Sequence, residues 1–388
     1  MQTQPIAPPG SVAATPPRTR DDLRRWVDAE VAPFAGDWDR AEAISPRIVN
    51  RMGELGFLGA VIPPEHGGEG MDMVSFAELN EELGRGCSSV RSLVTVHSML
   101  SFAVARYGSG EQRERWLPRL ARGAALGAFA LTEPEVGSDA ASIRTEAAPD
   151  GDHYRLTGTK RWITFGLLAD VVLVIARCEG QPLALLVERG TPGLAIAPIR
   201  GVTGTRGAML AELRFDGCRV PAANRLAGPG FGMAIALAAL EVGRLSVAAG
   251  SVGILQAALE ASLRYAATRE QFGEPLAKHQ LIRRMLTDMA AEVRAARLLC
   301  ESAARLYDAG DPAAREEIFI AKYYASVACA RATRDAAQIH GANGCTDAFP
   351  VDRLLRDARV MEVIEGSTQI MQITIARQEL QRFGLAPR

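Results

Sequence analysis

Three long segments in the C-terminal half carry apolar residues at helical spacing, and they constrain the fold more than any other feature of the sequence. They cover residues 233–267, 276–309 and 312–340, and all are rich in Ala, Leu and Arg. Helices of this length with broad apolar faces pack against one another as a bundle. The apolar surface left over favours association of several copies of the chain.

The rest of the chain divides into two regions of different texture. Residues 21–125 have a helical pattern, with a helix start at Asp21 and Asp22 and an apolar, buried helix over residues 92–104. Turn signals then separate short runs of strand-forming residues. These predicted strands cover residues 153–156, 171–176, 183–187 and 210–215.

This order of helices, strands and helices predicts a mainly α protein with a middle β domain. We divide it into a disordered tail at residues 1–20, an N-terminal α domain at 21–125, a middle β domain at 126–230 and a C-terminal helical bundle at 231–388. The tail assignment depends on its richness in Pro, Ala, Thr and Gln and its lack of an apolar core.

Charge and composition argue against several classes of partner. The formal net charge of −1 leaves no basic excess for binding nucleic acid. Six cysteines and five histidines lack metal-ligand spacing, which argues against a structural metal or a disulfide framework. Free cysteines are typical of a reducing cytoplasm, where we expect the protein to reside. We expect no membrane-spanning segment and no membrane partner.

A short motif near the C-terminus has the features of a general base. Residues 363–370 read Val-Ile-Glu-Gly-Ser-Thr-Gln-Ile, and the preceding Val360 and Met361 are also apolar. An apolar approach can carry Glu365 to a dry site, where desolvation raises the pKa of a carboxyl group toward neutrality. The competing interpretation is a buried glutamate that serves only a structural ion pair.

Two motifs in the middle region suggest a ligand site. Residues 129–139 read Phe-Ala-Leu-Thr-Glu-Pro-Glu-Val-Gly-Ser-Asp, and residues 158–164 read Gly-Thr-Lys-Arg-Trp-Ile-Thr. Hydroxyl donors and glycine allow close polar contact, and a Trp can shelter a flat aromatic ligand. The alternatives are a strand that ends in a polar turn and a Trp within a β core.

Two further motifs lie in the helical region. Residues 269–276 read Arg-Glu-Gln-Phe-Gly-Glu-Pro-Leu and are followed by His279 and Gln280. Arg269 has the planar donor fork that suits a pyrophosphate, although a solvated inter-helix loop is the alternative. Residues 338–344 read Gln-Ile-His-Gly-Ala-Asn-Gly and indicate a helix end whose exposed backbone could approach a cofactor.

In this order and at these separations, the motifs resemble those of the acyl-CoA dehydrogenase flavoproteins, and the resemblance extends from Asp21 to the end. It implies an N-terminal helical domain, a small middle domain built as a β-barrel or sandwich, and a C-terminal four-helix bundle. It also implies FAD as cofactor and a homotetramer, or a homodimer.

The resemblance assigns FAD contacts to each motif. From the β domain these are Phe129, Leu131, Thr132 and Ser138. Those at the isoalloxazine ring are Trp162, Ile163 and Thr164. Those that reach the FAD of a neighbouring subunit are Arg269, Gln271, Gln280, Gln338, Gly341 and Ala342. Thr368 and Gln369 complete the flavin site.

Glu365 corresponds to the family's catalytic base. It would take the α-proton of an acyl thioester while the β-hydride passes to flavin N5, which gives a 2,3-unsaturated thioester. Some members place the base at a position that is Gly243 here, so that alternative is absent. The implied substrate-binding residues are Ser138, Glu241, Arg244 and Gly366. For Glu241 and Arg244, a salt bridge on a bundle helix is the other interpretation.

The sequence also departs from the family pattern, with Ile364 where Tyr is usual before the base, and with Ala342 and Cys345 in the fourth motif. Residues 87–92, 251–255 and 361–367 resemble dehydrogenases of polyketide and nonribosomal peptide pathways, which belong to secondary metabolism.

Some of those enzymes act on acyl groups bound to carrier proteins, and one branch oxidises a hydroxyacyl-carrier-protein for methoxymalonyl extender units. The implied partners are therefore an acyl-CoA or acyl-carrier-protein substrate and an electron-transfer flavoprotein as acceptor. A DNA-binding branch of the family is a third alternative, which the balanced charge and the retained Glu365 oppose.

Overall fold

The computed structural model describes residues 19–385, so the predicted tail lies outside the described residues except for Thr19 and Arg20. Thr19 caps the first helix, because its hydroxyl accepts a hydrogen bond from the Asp22 N–H while the Asp22 carboxylate accepts one from the Thr19 N–H. The first helix therefore begins at Arg20. The predicted N-terminal domain begins one residue later, at Asp21.

Six helices form the N-terminal part. They are α1 (Arg20–Glu30), α2 (Ala35–Ala41), α3 (Pro46–Glu54), α4 (Met73–Gly86), α5 (Ser88–Tyr107) and α6 (Gly110–Ala121). The predicted buried helix is α5, and every residue from 88 to 101 is buried. This burial makes α5 the central helix of the N-terminal part.

The middle part is one eight-stranded sheet. Its strands are β1 (Gly127–Ala130), β2 (Glu146–Asp150), β3 (His153–Ile163), β4 (Val171–Cys178), β5 (Gln181–Glu188), β6 (Leu194–Pro198), β7 (Ala211–Pro221) and β8 (Arg225–Leu226). The strand order is β6-β7-β3-β2-β4-β5-β8, and β1 pairs in parallel with β4. The β3–β7 register shifts between Lys160 and Ile163, where the chain carries the Trp-Ile-Thr motif.

The C-terminal part is helical apart from one small hairpin. Its elements are α7 (Gly232–Thr268), β9 (Glu270–Gln271), β10 (Glu274–Pro275), α8 (Gln280–Asp308), α9 (Ala314–His340), α10 (Pro350–Met361) and α11 (Thr368–Arg382). The three predicted long helices correspond to α7, α8 and α9. Helix α8 begins at Gln280 rather than near residue 276, because Leu276–Lys278 form a separate single turn.

Helix α7 is the one helix among residues 19–385 that is long and apolar enough, by length and composition, to cross a membrane. Its most apolar window has a mean hydropathy of 1.5, which corrects the expectation that no such segment occurs. However, 67% of that window is buried inside the protein. Helix α7 packs against α4, α5, α8, α9 and α10, and packing within the protein accounts for its apolar character.

Candidate active site

Glu365 lies in the short loop between α10 and α11. Glu365 has a φ of 56° and Gly366 a φ of 101°, so two consecutive residues adopt left-handed backbone conformations. Ser367 caps α11 by accepting a hydrogen bond from the Ile370 N–H, and both the N–H and the hydroxyl of Thr368 donate to the Glu362 carbonyl. These bonds hold a tight turn that aims the Glu365 side chain away from its own helix ends.

The Glu365 carboxylate is packed against α7. Its Oε2 is buried and has no hydrogen-bond partner within residues 19–385. A Cβ atom at Gly243 would lie 2.5 Å from this oxygen, so the carboxylate occupies the space that a side chain at residue 243 would need. Burial raises the pKa of Glu365, whereas the charges of Arg244, Lys322 and Arg91 lower it. A desolvated, unbonded carboxylate of this kind is suited to accept a proton.

Two buried cations bond to the backbone of the Glu365 loop. Arg244 donates from Nε to the Glu365 carbonyl at 3.0 Å, and its guanidinium lies 4.5 Å from the centre of the Phe319 ring. Lys322 in α9 donates from Nζ to the Gly366 carbonyl at 2.7 Å. Burial lowers the pKa of Lys322 to about 8. Neither cation forms a hydrogen bond or an ion pair with the carboxylate itself.

Arg91 is a third cation near Glu365, and its side chain is fully buried in α5. Its terminal nitrogens bond to the hydroxyl of Thr95 at 2.9 Å and that of Ser88 at 3.4 Å, and approach the sulfur of Met361 at 3.5 Å. No carboxylate of residues 19–385 forms an ion pair with it. Burial lowers the pKa of Arg91 to about 10, although the negative charge of Glu365 acts to raise it.

The sequence analysis missed Arg91 and Lys322. Both are single cations within buried stretches of helix, and burial of a charge is costly unless a partner compensates for it. A lone Arg or Lys in an apolar helical run is the signal that could have found them. Of the four residues assigned to substrate, the two on α7 have different surroundings: Arg244 contacts the Glu365 loop, whereas Glu241 pairs with Arg315 at 3.1 Å.

The first two predicted cofactor motifs lie side by side. Arg161 donates its N–H to the Thr132 carbonyl at 2.9 Å, and the buried Lys160 bonds to the Leu131 carbonyl and to Glu133. Trp162 adopts a positive φ of 63°, and its side chain is 48% exposed. The exposed indole therefore stands next to the loop that carries Thr132.

Residues within these motifs differ in accessibility. Ser138 is exposed, whereas Phe129, Thr132 and Thr164 are partly exposed. Leu131 and Ile163 are buried with apolar core residues. The Ile163 side chain is only 2% exposed and lies in the core of the sheet, so the predicted contact of this residue with a flavin ring would be made by its backbone. Ile163 offers only its backbone to a ligand.

The fourth motif packs against the end of α7, which leads into the third motif. The ring of Tyr265 stacks on that of His340 with their centres 4.2 Å apart, and the Tyr265 hydroxyl accepts a hydrogen bond from the Asn343 side chain at 2.9 Å. The residues assigned to the cofactor in these motifs are all exposed: Arg269, Gln271, Gln280, Gln338, Gly341 and Ala342. Phe272, at the hairpin tip between β9 and β10, is 95% exposed.

The predicted motifs form two separate groups in the structure. Within residues 19–385, no hydrogen bond or ion pair joins the hairpin and the end of α9 to Trp162 or to the Glu365 loop. The remaining assigned residues follow Glu365 in the chain. Thr368 is buried, and its hydroxyl donates to the Glu362 carbonyl. Gln369 is exposed, and the Gly366 carbonyl accepts a hydrogen bond from Lys322.

The residues around Trp162 fit a flat aromatic group with a polar edge, as in a flavin. The half-exposed indole supplies a planar apolar surface, and the hydroxyls of Thr132 and Ser138 supply donors on the loop to which the neighbouring Arg161 is bonded. A Cβ at Gly137 would meet no atom within 4 Å, so the backbone of this loop is open to a ligand. Residues 19–385 contain no group of three or more His, Cys, Asp or Glu side chains that could hold a metal ion.

Comparisons with known proteins cover nearly the whole chain. Three family models match: acyl-CoA dehydrogenase N-terminal domain at residues 17–124, middle domain at 128–218 and C-terminal domain at 230–380. Probable acyl-CoA dehydrogenase YngJ of Bacillus subtilis is 41% identical over 93% of this chain and 97% of its own. Acryloyl-CoA reductase (NADH) of Anaerotignum propionicum is 39% identical over 92% of this chain and 93% of its own.

Three solved structures are similar in fold and sequence. A glutaryl-CoA dehydrogenase from Mycobacterium smegmatis in complex with FADH2 has a TM-score of 0.89, 32% identity and 93% coverage of both chains. The prolyl acyl carrier protein oxidase AnaB has a TM-score of 0.88 and 30% identity, with 93% and 97% coverage. FkbI, for biosynthesis of a methoxymalonyl extender unit, has a TM-score of 0.86 and 34% identity, with 93% and 99% coverage.

Proposed function

Because the chain belongs to the acyl-CoA dehydrogenase family, we propose that it oxidises an acyl thioester with Glu365 as the base that removes the α-proton. Members of this family are FAD-dependent oxidoreductases that act on CH–CH bonds, and this protein is one of them. The observation that carries the assignment of Glu365 is its buried, unbonded Oε2. A carboxylate without hydrogen-bond donors is free to take a proton from carbon.

The chain's own residues perform three tasks in this proposal. Glu365 accepts the α-proton at its carboxylate. Arg244 and Lys322 fix the two carbonyls of its loop, which keeps the carboxylate against Gly243. Trp162, with Thr132 and Ser138, would hold FAD, which when bound supplies the hydride acceptor for the β-carbon. Burial of the Glu365 Oε2 beside α7 limits the access of water to the base.

We also propose a homotetramer, or a homodimer, in which each copy helps to bind its neighbour's FAD. The hairpin at Phe272 and the end of α9 have exposed residues, and no hydrogen bond or ion pair within residues 19–385 joins them to the chain's own Glu365 loop. An almost fully exposed Phe at a hairpin tip is costly to leave in water, and a second copy would cover it. Light scattering of the FAD-loaded protein measures the oligomeric state.

A single anaerobic experiment tests the proposed reaction. The purified protein is loaded with FAD and mixed with short acyl-CoA esters while the flavin absorbance is followed. We expect bleaching by at least one ester, and we expect Glu365→Gln to keep bound FAD but lose nearly all of this reduction. Glu362→Gln, a change at a neighbouring carboxylate in the same loop, is the matched control. Equal bleaching by the Glu365→Gln protein would contradict the assignment.

A second candidate substrate is an acyl group that carries its own carboxylate and is tethered to a carrier protein. It is favoured by Arg91, a buried cation near Glu365 without an ion-pair partner in the described part of the chain. Two of the similar structures are named for glutaryl or methoxymalonyl chemistry, and a third for a carrier-bound acyl group. If the oxidised carbon bears a hydroxyl group, the product would be a carbonyl compound.

The same flavin assay separates the two candidates. Straight-chain, malonyl-type and glutaryl-type acyl groups are presented both as CoA esters and on a carrier protein. Bleaching by the carrier-bound, carboxylate-bearing forms alone would favour the second candidate and a place in secondary metabolism. Reoxidation of the reduced protein by an added electron-transfer flavoprotein, compared with oxygen, tests the proposed electron acceptor.

A further inference from the structure

Lysine is rare in this chain, and its positions are informative. Of the 44 basic residues only Lys160, Lys278 and Lys322 are lysines, and all the others are arginines. Lys278 has a largely exposed side chain, whereas Lys160 and Lys322 are fully buried. A chain that uses arginine almost everywhere thus has a compact ammonium at two fully buried places.

The two buried lysines differ in their partners. Lys160 forms an ion pair with Glu133 at 2.7 Å, which compensates for its burial. Lys322 forms no ion pair with any carboxylate of residues 19–385, and its hydrogen bond goes to the Gly366 carbonyl instead. A buried ammonium whose partner is a peptide carbonyl is costly, so packing alone does not account for it.

The contact of Lys322 is made one residue beyond Glu365. Arg244 from α7 bonds to the Glu365 carbonyl and Lys322 from α9 bonds to the Gly366 carbonyl, so cations from two helices fix successive peptide groups. Both peptides belong to residues with positive φ, a conformation that is strained for a glutamate and persists only when its surroundings hold it. Loss of either bond would release the backbone that carries the carboxylate.

We propose that Lys322 is a positioning residue for Glu365: it holds the loop so that the carboxylate stays against Gly243, and its positive charge favours the ionised carboxylate. The proposal deepens the proposed function, because it depends on Glu365 as the base. It concerns Lys322 alone and assigns this residue no direct contact with substrate or FAD.

The charges around Glu365 set the sign of the expected effect. Arg91 on α5, Arg244 with Glu241 on α7, and Lys322 with Arg315 on α9 face this region, and Glu362 lies in the loop. Burial raises the pKa of Glu365, and the three nearest cations oppose that rise. Removal of Lys322 therefore raises this pKa further. The base is active only when ionised, so the acidic limb of the rate profile must move to higher pH.

The test uses the FAD-loaded, full-length protein and three variants. Lys322→Met keeps the volume without charge or donor, and Lys322→Gln keeps a neutral donor. Arg331→Met is the matched control, because it removes a cation from the exposed side of the same helix. For Lys322→Met we expect flavin reduction that is roughly ten- to a hundredfold slower at neutral pH, with the acidic limb displaced to higher pH. Arg331→Met should have the wild-type rate of flavin reduction and the wild-type position of the acidic limb.

A second measurement does not depend on activity. Infrared difference spectra follow the protonated carboxyl band of Glu365 during a pH titration, and the band is assigned by its loss in Glu365→Gln. We expect the midpoint to rise in both Lys322 variants and to stay in place in Arg331→Met. If Lys322→Met does not fold, Lys322→Gln provides the same two readings.

Two results would overturn the proposal. One is a wild-type midpoint and rate in both Lys322 variants. The other is a slower reaction at every pH with an unmoved midpoint, which indicates a merely structural lysine. If no acyl thioester reduces the wild-type flavin, the proposed function fails, but the infrared titration still decides whether Lys322 controls the ionisation of Glu365.

Discussion

The carboxylate of Glu365 lies directly against the backbone of Gly243. A methyl group on residue 243 would stand 2.5 Å from Oε2 of Glu365 and 2.9 Å from the sulfur of Met99. Two groups cannot occupy that space together. A carboxylate supplied from residue 243 and one supplied from residue 365 are therefore mutually exclusive in this fold, which supports the proposed role of Glu365.

Gly243→Ala should impair catalysis without loss of FAD. The added methyl group has to displace the Glu365 carboxylate, because the alternative is to push the buried α7 backbone. A displacement of about 1 Å at a catalytic group can cost on the order of a hundredfold in rate. Stopped-flow flavin reduction measures the effect, and Gly110→Ala, where a Cβ meets no atom within 4 Å, is the control. A wild-type rate in Gly243→Ala would show that the carboxylate does not need this space.

Arg91→Met should change selectivity rather than abolish activity. If Arg91 recognises a carboxylate on the acyl group, its loss removes one charge-assisted bond, so we expect roughly a ten- to hundredfold fall in kcat/KM for carboxylate-bearing substrates. Substrates without that carboxylate should change much less. Steady-state kinetics on paired substrates measure the ratio, and Arg91→Lys tests whether charge alone suffices. An equal fall for both substrates would contradict the anion-binding role.

The stability of the protein should depend on His97 between pH 4 and pH 6.5. Burial lowers the pKa of His97 to about 4, while its Nε2–H donates to the Leu120 carbonyl and its Nδ1 accepts the Gly127 N–H. The folded state thus binds fewer protons than the unfolded state below pH 6.5. The contribution of His97 to the free energy of unfolding is therefore fully present above pH 6.5. It decreases by about 3 kcal/mol as the pH falls from 6.5 to 4.

Urea unfolding at several pH values measures this dependence. His97→Gln should be less stable at pH 7, because the imidazole makes both bonds in its neutral form, but it should lose less stability on acidification. If the stability of His97→Gln depends on pH as strongly as that of the wild type, the acid sensitivity belongs to other groups.

Glu133→Gln should destabilise the middle domain and weaken FAD binding. Glu133 accepts bonds from Lys160 and from the N–H groups of Arg144 and Thr145, so it ties together both ends of the loop that contains Thr132 and Ser138. Its neutralisation leaves Lys160 buried without a counter-charge, at a cost of about 3–5 kcal/mol. Thermal unfolding and FAD content measure the two effects. Glu135→Gln, at an exposed site on the same loop, should match wild type.

Local patterns in the sequence predicted the order of the elements and singled out Glu365, whose catalytic role stays a prediction. The helical periodicity of α7, α8 and α9 and the alternation of the strands are properties of neighbouring residues, so a single sequence contains them. The family motifs added FAD. The capped start of α1 at Thr19 was missed because Asp21 and Asp22 resemble a start themselves.

The parts that could not be predicted depend on tertiary contacts. Arg91, Arg244 and Lys322 come from three different helices, and nothing local indicates that they converge on one carboxylate. The burial of the Ile163 side chain is a second feature of this kind: adjacent residues of a strand face opposite sides, and the register shift before it decides which side faces the core. That shift is set by the pairing of β3 with β7.

Helix α7 has a consequence for how the chain can be divided. Its residues Val242, Leu245 and Ala249 are part of the same core as Leu83, Val90 and Leu93 of the N-terminal helices, while its other face packs against α9. A fragment that ends before Gly232 would leave the apolar surfaces of α4 and α5 uncovered. The three segments that the family models treat as separate domains therefore stabilise one another. Transfer of any one of them into another protein would require transfer of its neighbours as well.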